Sequence, residues 1–153
     1  MKRYLLSWSV PVAVLCALAG AVLGLGSYTF WYAEGGSYFS NDPRACVNCH
    51  VMREQFDGWI VSSHRAVAVC NDCHAPHDPV GKYATKAVNG FWHSVAFTTG
   101  RYPDPLRIKA HNRVIAEEAC RKCHRAIVDA IDPSHRPGAG AACLACHHAV
   151  GHL

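Results

Sequence analysis

The chain has 153 residues, a formal net charge of +4 with histidine neutral, nine cysteines and eleven histidines. This length allows one domain, or one small domain with an appendage. The basic residues are scattered, whereas a nucleic-acid-binding surface needs a concentrated basic patch, so we expect no nucleic-acid partner. So many cysteines in a short chain indicate disulfides, a metal site or a covalently held cofactor.

The first predicted element is a membrane anchor over residues 1–32. Lys2 and Arg3 precede a long uncharged run, and residues 5–26 would measure about 33 Å as a helix, enough to cross a hydrocarbon core roughly 30 Å thick. A cleaved signal peptide is the alternative, but its apolar stretch would be shorter. Aromatic residues within 28–32 suit a membrane interface, which favours the uncleaved anchor. The positive-inside rule then places the N-terminus in the cytoplasm and residues 33–153 across the membrane.

The eight cysteines that follow the anchor form four Cys-x-x-Cys-His motifs. The cysteines are Cys46 and Cys49, Cys70 and Cys73, Cys120 and Cys123, and Cys143 and Cys146; the histidines are His50, His74, His124 and His147. This is the attachment signature of c-type haem. A single Cys-x-x-Cys pair is also compatible with half a zinc site or a redox-active dithiol, but neither needs a histidine after each of four pairs. The sequence therefore predicts four covalently bound haem c groups.

The predicted fold class follows from the space that four haems require. Residues 33–153 are too few to surround four macrocycles with a conventional core. We therefore expect a mainly α fold with extensive coil, in which one N-terminal transmembrane helix precedes a small multihaem c-type cytochrome domain whose core is the haems. Proline and glycine interrupt the chain often, and only residues 80–90 and 108–126 have a convincing helical pattern.

Histidines outside the motifs are candidates for the second axial ligand that low-spin electron-transfer haems need. His64 follows two serines, and His152 lies five residues after His147. Met52 lies two residues after His50 and has either a ligand role, which would raise the potential of that haem, or a packing role. Further candidates for a distal ligand are His93, His111 and His135.

Several of these features together resemble the NapC/NirT family of tetrahaem quinol dehydrogenases. The marks are the single anchor, the four motifs, Cys46-Val-Asn-Cys-His-Val-Met52, Ser62-Ser-His64, Cys-His-Ala-Pro at 73–76, Lys82-Tyr83, Lys86-Ala87, Gly90, His93-Ser-Val-Ala-Phe-Thr98 and the spacing from His147 to His152. The resemblance covers almost the whole chain, and its short length is similar to the branch of small subunits of cytochrome c nitrite reductase. It implies a protein of the inner (cytoplasmic) membrane, with its haem domain on the periplasmic side. Such a subunit oxidises menaquinol and passes electrons to a pentahaem nitrite reductase that makes ammonia.

The resemblance also implies roles for individual residues. Met52 matches the methionine that ligates the first haem in place of the motif histidine, and Lys82 matches a lysine of the quinol pocket. The family usually has an aspartate where this chain has Asn89, which shares a helix face with Lys82 and Lys86. Asparagine can hydrogen-bond a quinol hydroxyl but cannot take its proton, so His93 or a water becomes the expected acceptor.

The resemblance supplies one more ligand. His74, His124 and His147 are the expected proximal ligands, and only His64 and His152 match the family's distal positions. A lysine donated by the nitrite reductase subunit is the implied third distal ligand, with an internal histidine as the alternative.

Two other functions remain possible from the sequence. One is a quinol dehydrogenase that supplies a different periplasmic reductase, such as a nitrate reductase. The other is a non-enzymatic electron-transfer cytochrome that never contacts quinol, which would lack an open or weakly ligated haem near the membrane.

Overall fold

A computed structural model describes the backbone of residues 2–131 and 142–152, and the side chains of residues 9–130 and 142–152. His135 lies outside the described residues, so its candidacy as a ligand stays a prediction. The chain forms two compact units, Met1–Ser37 and Tyr38–Leu153.

The first unit is dominated by a single long helix, α1 (Lys2–Tyr32). Its segment Ser9–Tyr32 has 24 residues and reaches a mean hydropathy of 2.1. Among the helices that the structure describes, it is the one that is long and apolar enough to cross a membrane. Its large side chains point outward along the length described, with Leu23 70% and Trp31 84% exposed. A helix satisfies its own backbone hydrogen bonds, so lipid can cover such a surface without penalty.

The second unit consists of short helices joined by coil. After a 3₁₀ turn at Gly35–Phe39 come two more, Pro43–Asn48 and His50–Met52, and then α2 (Arg53–Val61), α3 (Cys70–His74), α4 (Pro79–Thr99), α5 (Ala110–Cys123), α6 (Arg125–Ile131) and α7 (Cys143–Cys146). No strand occurs within residues 2–131 and 142–152. The predicted mainly α fold with one N-terminal apolar helix is confirmed.

Helix α4 is longer than the sequence pattern predicted, because Gly90 does not end it. Asp78 caps its first turn, with a side-chain oxygen accepting a backbone hydrogen bond at 2.6 Å. At Gly90 the ring of Tyr38 packs so closely that a Cβ would lie 3.2 Å from it. The helix ends instead at Gly100, whose φ of 67° is the left-handed conformation that glycine adopts readily at a helix terminus.

The protein core of the second unit is small. The buried residues among those described are Ala75, Thr85, Ile115, Ala116 and Ala119. They lie mainly on α5, which packs on α3. No large described side chain is fully buried, and large apolar side chains such as Phe91 (62%) remain exposed. A unit with so little packed side-chain volume fits a domain whose core is completed by macrocycles.

Candidate functional site

The first Cys-x-x-Cys-His motif lies on a capped 3₁₀ turn. Asp42 precedes the Pro43–Asn48 turn, and its Oδ1 accepts a hydrogen bond of 2.9 Å from the backbone of Arg44. Met52 ends the next turn and is half-buried, one residue before α2 begins. The same short stretch therefore carries both attachment cysteines and the predicted methionine ligand of the first haem.

The second motif forms α3, which is attached to the segment before the first motif. Asp72 reaches back to accept a hydrogen bond of 2.8 Å from the Val69 backbone, as in half of a capping box. Asn71, between the two motif cysteines, donates to the backbone oxygen of Ser40 at 3.0 Å and to Asn41 Oδ1 at 2.9 Å. These bonds hold the first two motifs beside each other.

The third and fourth motifs are joined by a carboxylate. Glu117 of α5, one turn before the third motif, accepts hydrogen bonds from the backbone nitrogens of Cys143 at 2.8 Å and Leu144 at 3.0 Å. Burial favours the neutral carboxyl, but these hydrogen bonds and Arg113 outweigh it and lower the pKa of Glu117. A carboxylate thus satisfies the first backbone donors of α7, where the fourth motif begins.

The cysteines of successive motifs are neighbours in chain order. The thiols of Cys46 and Cys70 share a hydrogen bond, which is the main cause lowering the pKa of Cys46 to about 7. Cys73 acts electrostatically on Cys120, as does Cys143. The motifs therefore follow one another in space as one, two, three and four. Haem attachment would convert these thiols to thioethers and remove their charges, but the cysteines would remain neighbours.

Two pairs of histidine rings lie beside each other at nearly the same distance, with the planes of His74 and His152 8° apart and those of His64 and His124 79° apart. The ring centres of His74 and His152 lie 6.0 Å apart, and those of His64 and His124 lie 6.1 Å apart. A metal between two imidazoles, at about 2 Å from each nitrogen with about 1 Å from nitrogen to ring centre, needs roughly 6 Å. The spacing therefore fits an iron with two axial imidazoles, and each pair joins a motif histidine to a histidine outside the motifs.

The orientation of His64 supports this interpretation. Its Nδ1 lies 3.1 Å from the backbone oxygen of Val150. A carbonyl oxygen only accepts hydrogen bonds, so Nδ1 carries the proton and Nε2 keeps its lone pair. A hydrogen bond from the second ring nitrogen is the usual way in which proteins orient a metal-binding histidine. The C-terminal segment thus orients His64, one of the two predicted distal histidines, through Val150 and carries the other, His152.

The remaining predicted histidine ligand, His147, directly follows α7. It is not a member of either ring pair. At His74, crowding by protein atoms and then the neighbouring His152 lower the pKa, although the residue keeps solvent exposure. A lowered pKa favours the neutral imidazole, which is the form that binds metal.

The geometry gives less support to the alternative of a metal ion, such as zinc, that is held by protein side chains without haem. Within the described residues, no three histidine, cysteine or acidic side chains lie close enough to hold a metal ion by themselves. Each motif instead presents two thiols and a histidine, and the opposed rings leave room for an iron between them. The residues present therefore fit haem c.

The residues predicted for the quinol site lie along one face of α4. They are Lys82, Lys86, Asn89 and His93, spaced by four, three and four residues. The Lys86 ammonium donates to the backbone oxygen of Ser40 at 2.8 Å. Burial, and then the positive charge of Lys82, lower the pKa of Lys86, while Cys46 acts in the opposite direction. The two lysines are therefore neighbours, and Lys86 lies beside the first motif.

The amide of Asn89 is directed towards α5. Its Nδ2 donates to Asn112 Oδ1, and Asn112 Nδ2 donates to Asn89 Oδ1, both at 3.2 Å. Asn89 and His111 also line a cavity of about 430 Å³ between α4 and α5. Both hydrogen-bonding groups of Asn89 thus have a protein partner, which leaves it less suited to a quinol than the sequence suggested.

His93 has a partner that sequence reasoning missed. The hydroxyl of Tyr38 lies 3.1 Å from His93 Nδ1. Partial burial, and then Lys109, lower the pKa of His93. Burial raises the pKa of Tyr38, with smaller effects from the thiols of Cys49 and Cys46. No local pattern indicates this contact, because the two residues are 55 positions apart.

Comparison with known proteins agrees with these features. Residues 8–153 match the NapC/NirT cytochrome c family, N-terminal region. The chain is 39% identical over 140 residues to cytochrome c-type protein NrfH of Wolinella succinogenes, covering 85% of this chain and 79% of that protein. It is 28% identical over 143 residues to cytochrome c nitrite reductase subunit NrfH of Nitratidesulfovibrio vulgaris, covering 94% and 86%.

Two further relatives extend the comparison. Cytochrome c-type protein NapC of Escherichia coli is 24% identical over 186 aligned positions, covering 99% of this chain and 89% of that protein. A chain in the crystal structure of the cytochrome c nitrite reductase NrfHA complex bound to the HQNO inhibitor superimposes with a TM-score of 0.64 at 26% identity, covering 90% of both chains. The four motifs, the helical fold and the family match together show that this chain belongs to the NapC/NirT cytochrome c family.

Proposed function

We propose that this chain is a membrane-anchored tetrahaem cytochrome c that oxidises menaquinol and passes the electrons to a pentahaem cytochrome c nitrite reductase, which reduces nitrite to ammonia. The observation that carries the proposal is the pair of opposed imidazole contacts at 6.0 and 6.1 Å. With an iron between the rings, they would give two motifs the two axial ligands typical of electron-transfer haems. The similarity to two NrfH proteins supports the choice of partner.

Four haem c groups would be held by the eight motif cysteines. The proposed iron ligands are Met52, His64, His74, His124, His147 and His152. The rings pair His74 with His152 and His64 with His124. His147 then awaits a distal ligand, for which a lysine of the nitrite reductase subunit is our proposal. The haems supply one-electron redox chemistry, and the protein supplies their spacing, ligands and docking surface.

The quinol is bound and deprotonated by side chains of α4. We assign Lys82 to hydrogen bonding a quinol oxygen, and Lys86 to holding the Ser40 segment beside the first motif. Asn89 contributes to the contact between α4 and α5 through its hydrogen bond to Asn112. His93 is the proton acceptor, since its lowered pKa keeps it neutral over more of the working pH range.

The membrane arrangement follows from α1. We propose residues 1–32 as an uncleaved anchor in the inner membrane, with its N-terminus in the cytoplasm. Residues 33–153 then form the periplasmic haem domain. The anchor keeps the domain at the bilayer that contains the lipid-soluble quinol.

The function is tested by reconstituting the purified protein in liposomes with menaquinol and a pentahaem nitrite reductase. We expect ammonia formation that depends on both proteins, and copurification of the two subunits from native membranes. A haem-replete protein that reduces no partner with menaquinol would contradict the proposal.

A second candidate function is electron supply to a periplasmic nitrate reductase. The similarity to NapC over 99% of this chain is the observation that favours it. The higher identity to NrfH, 39% against 24%, favours nitrite reductase. Copurification distinguishes the two candidate partners, because the bound reductase will reduce either nitrite or nitrate.

A further inference from the structure

The hydrogen bond between Tyr38 and His93 is built by two separate segments. Tyr38 lies in the 3₁₀ turn Gly35–Phe39, and His93 lies in the middle of α4. The ring of Tyr38 crosses α4 at Gly90, where a Cβ would lie only 3.2 Å from the ring. Glycine at this position therefore allows the hydroxyl to approach His93 Nδ1 to 3.1 Å.

The same tyrosine lies next to the first haem motif. The thiols of Cys49 and Cys46 both act on the pKa of Tyr38, which places the ring within their electrostatic reach. Lys86 is also beside Cys46. Tyr38 thus has both the attachment cysteines of the first haem and His93 as neighbours.

Asn89 cannot serve as the proton acceptor for a quinol at this face of α4. An amide does not accept a proton at ordinary pH, and both amide groups of Asn89 are paired with Asn112. A quinol that loses electrons must also lose protons, so another group has to receive them. Tyr38 and His93 form a hydrogen-bonded pair of titratable side chains, and Tyr38 lies beside the first motif.

We infer that Tyr38 is a catalytic residue that relays each quinol proton to His93. This inference rests on the proposed menaquinol oxidation. The quinol O–H bond breaks as its proton binds Tyr38 Oη, and the Tyr38 O–H proton passes to His93 Nδ1. Tyr38 ends neutral, and His93 becomes an imidazolium that releases a proton from Nε2 to solvent. The Nδ1–H tautomer left behind returns to the Nε2–H form by proton exchange with solvent, so that Nδ1 can accept again. The first haem, held by Cys46 and Cys49, would take up each electron and pass it on before the next arrives. A second passage completes the conversion of quinol to quinone.

The electrostatics suit a relay followed by an acceptor. Burial raises the pKa of Tyr38, so the phenol stays protonated and passes protons on rather than storing a charge. This cause persists after the neighbouring thiols become thioethers. The titratable groups facing His93 are Tyr38 and Lys109, and partial burial with the Lys109 charge lowers the pKa of the imidazole. His93 is therefore ready to accept a proton near neutral pH.

The first test is Tyr38→Phe in the full, haem-loaded chain. Phenylalanine keeps the ring over Gly90 but removes the hydroxyl. Menaquinol oxidation should fall at least about tenfold, in line with the loss of a positioned proton-transfer group. In the unaltered protein, the rate of menaquinol oxidation should decline as the pH falls and His93 becomes protonated. This decline should disappear in Tyr38→Phe, because His93 no longer receives the quinol proton. Haem content and reduction by dithionite should stay unchanged, and Tyr102→Phe should behave as the unaltered protein.

A binding measurement provides a readout independent of turnover. 2-Methyl-1-naphthol resembles half of the quinol and donates one hydrogen bond, whereas its methyl ether donates none. Tyr38→Phe should weaken binding of the naphthol by roughly two- to tenfold, the value of one hydrogen bond. Binding of the ether should not change. Equal weakening of both ligands would overturn a hydrogen bond to Tyr38.

A rescue measurement separates chemistry from packing. Imidazole added to the Tyr38→Phe protein is a small diffusible base and should restore part of the rate, because it can carry the quinol proton where the hydroxyl is missing. A purely structural loss would not be rescued in this way, and absence of rescue would overturn the relay. If the unaltered protein fails to oxidise menaquinol, the proposed function itself fails. If it succeeds and Tyr38→Phe keeps the rate and the naphthol preference, only the inference about Tyr38 fails.

Discussion

We propose different tasks for two regions of the second unit. In the proposed ligand region, formed by His64, His74, His124 and His152, each ring lies beside a partner at roughly the spacing that two axial ligands need. In the proposed quinol face, formed by Lys82, Lys86, His93 and Tyr38, the groups of Lys86 and Tyr38 lie beside the first motif, and Lys82 and His93 are their neighbours.

The difference teaches how one small unit separates electron transfer from proton transfer. An iron with two protein ligands can exchange electrons without binding substrate. Quinol oxidation also needs an accessible edge and proton acceptors. We propose that the chain meets the first demand with the paired histidines, of which Val150 orients His64, and the second with a partly exposed face of α4.

The largest expected effect comes from breaking the ligand region at His64. His64→Ala removes the ring that faces His124 and should convert one of the haems from low-spin to high-spin. Electron paramagnetic resonance measures the change, and haem content should stay the same because the cysteines are untouched. His77→Ala, at an exposed histidine, is the matched control. A fully low-spin spectrum in His64→Ala would exclude His64 as a ligand.

At the quinol face, Lys82→Leu should change the rate of menaquinol oxidation and leave the haem spectra unchanged. Menaquinol oxidation should fall by roughly tenfold or more, because a hydrogen-bond donor to the quinol is lost. Spectra and dithionite reduction should remain normal. Arg107→Leu, which removes a positive charge from a loop, controls for net charge. A quinol rate equal to that of the control would remove Lys82 from the site.

The first motif connects the two regions, and Met52 tests its ligation. Met52→Ala should leave four covalent haems and alter the spectrum of one. His50→Ala should cause a smaller change, since the proposed ligand is the methionine. Optical and paramagnetic resonance spectra of both variants decide the matter. A larger change in His50→Ala would assign the iron to His50.

The smallest expected effect is at the cap of the fourth motif. Glu117→Gln removes the carboxylate that accepts from the Cys143 and Leu144 backbones, at a cost of about 1 kcal/mol in stability. Because the pKa of Glu117 is lowered in the folded protein, its contribution is present above its usual value near 4.3 and is lost as the pH falls through the lowered value. The thermal unfolding temperatures of the unaltered protein and of Glu117→Gln should therefore converge at acidic pH. An unchanged difference at all pH values would contradict the role of the charge.

Local sequence predicted the features that depend on contiguous residues. Haem attachment needs two cysteines and a histidine within five positions, so Cys70 to His74 could be recognised without any fold. The anchor was equally visible, because crossing a bilayer needs only an unbroken apolar run. The mainly α class followed from the space that four haems require in so short a chain. Gly90 misled the prediction of α4, since glycine there serves the approach of Tyr38 rather than the end of the helix.

Tertiary structure decided which distant residues meet. The sequence identified His64 and His152 as distal candidates, but only the fold paired them with His124 and His74. The orientation of His64 depends on Val150, 86 positions away. Tyr38 and His93 likewise meet through packing across α4. Such contacts are set by how short helices pack around a core too small to be formed by side chains alone, and no local pattern carries that information.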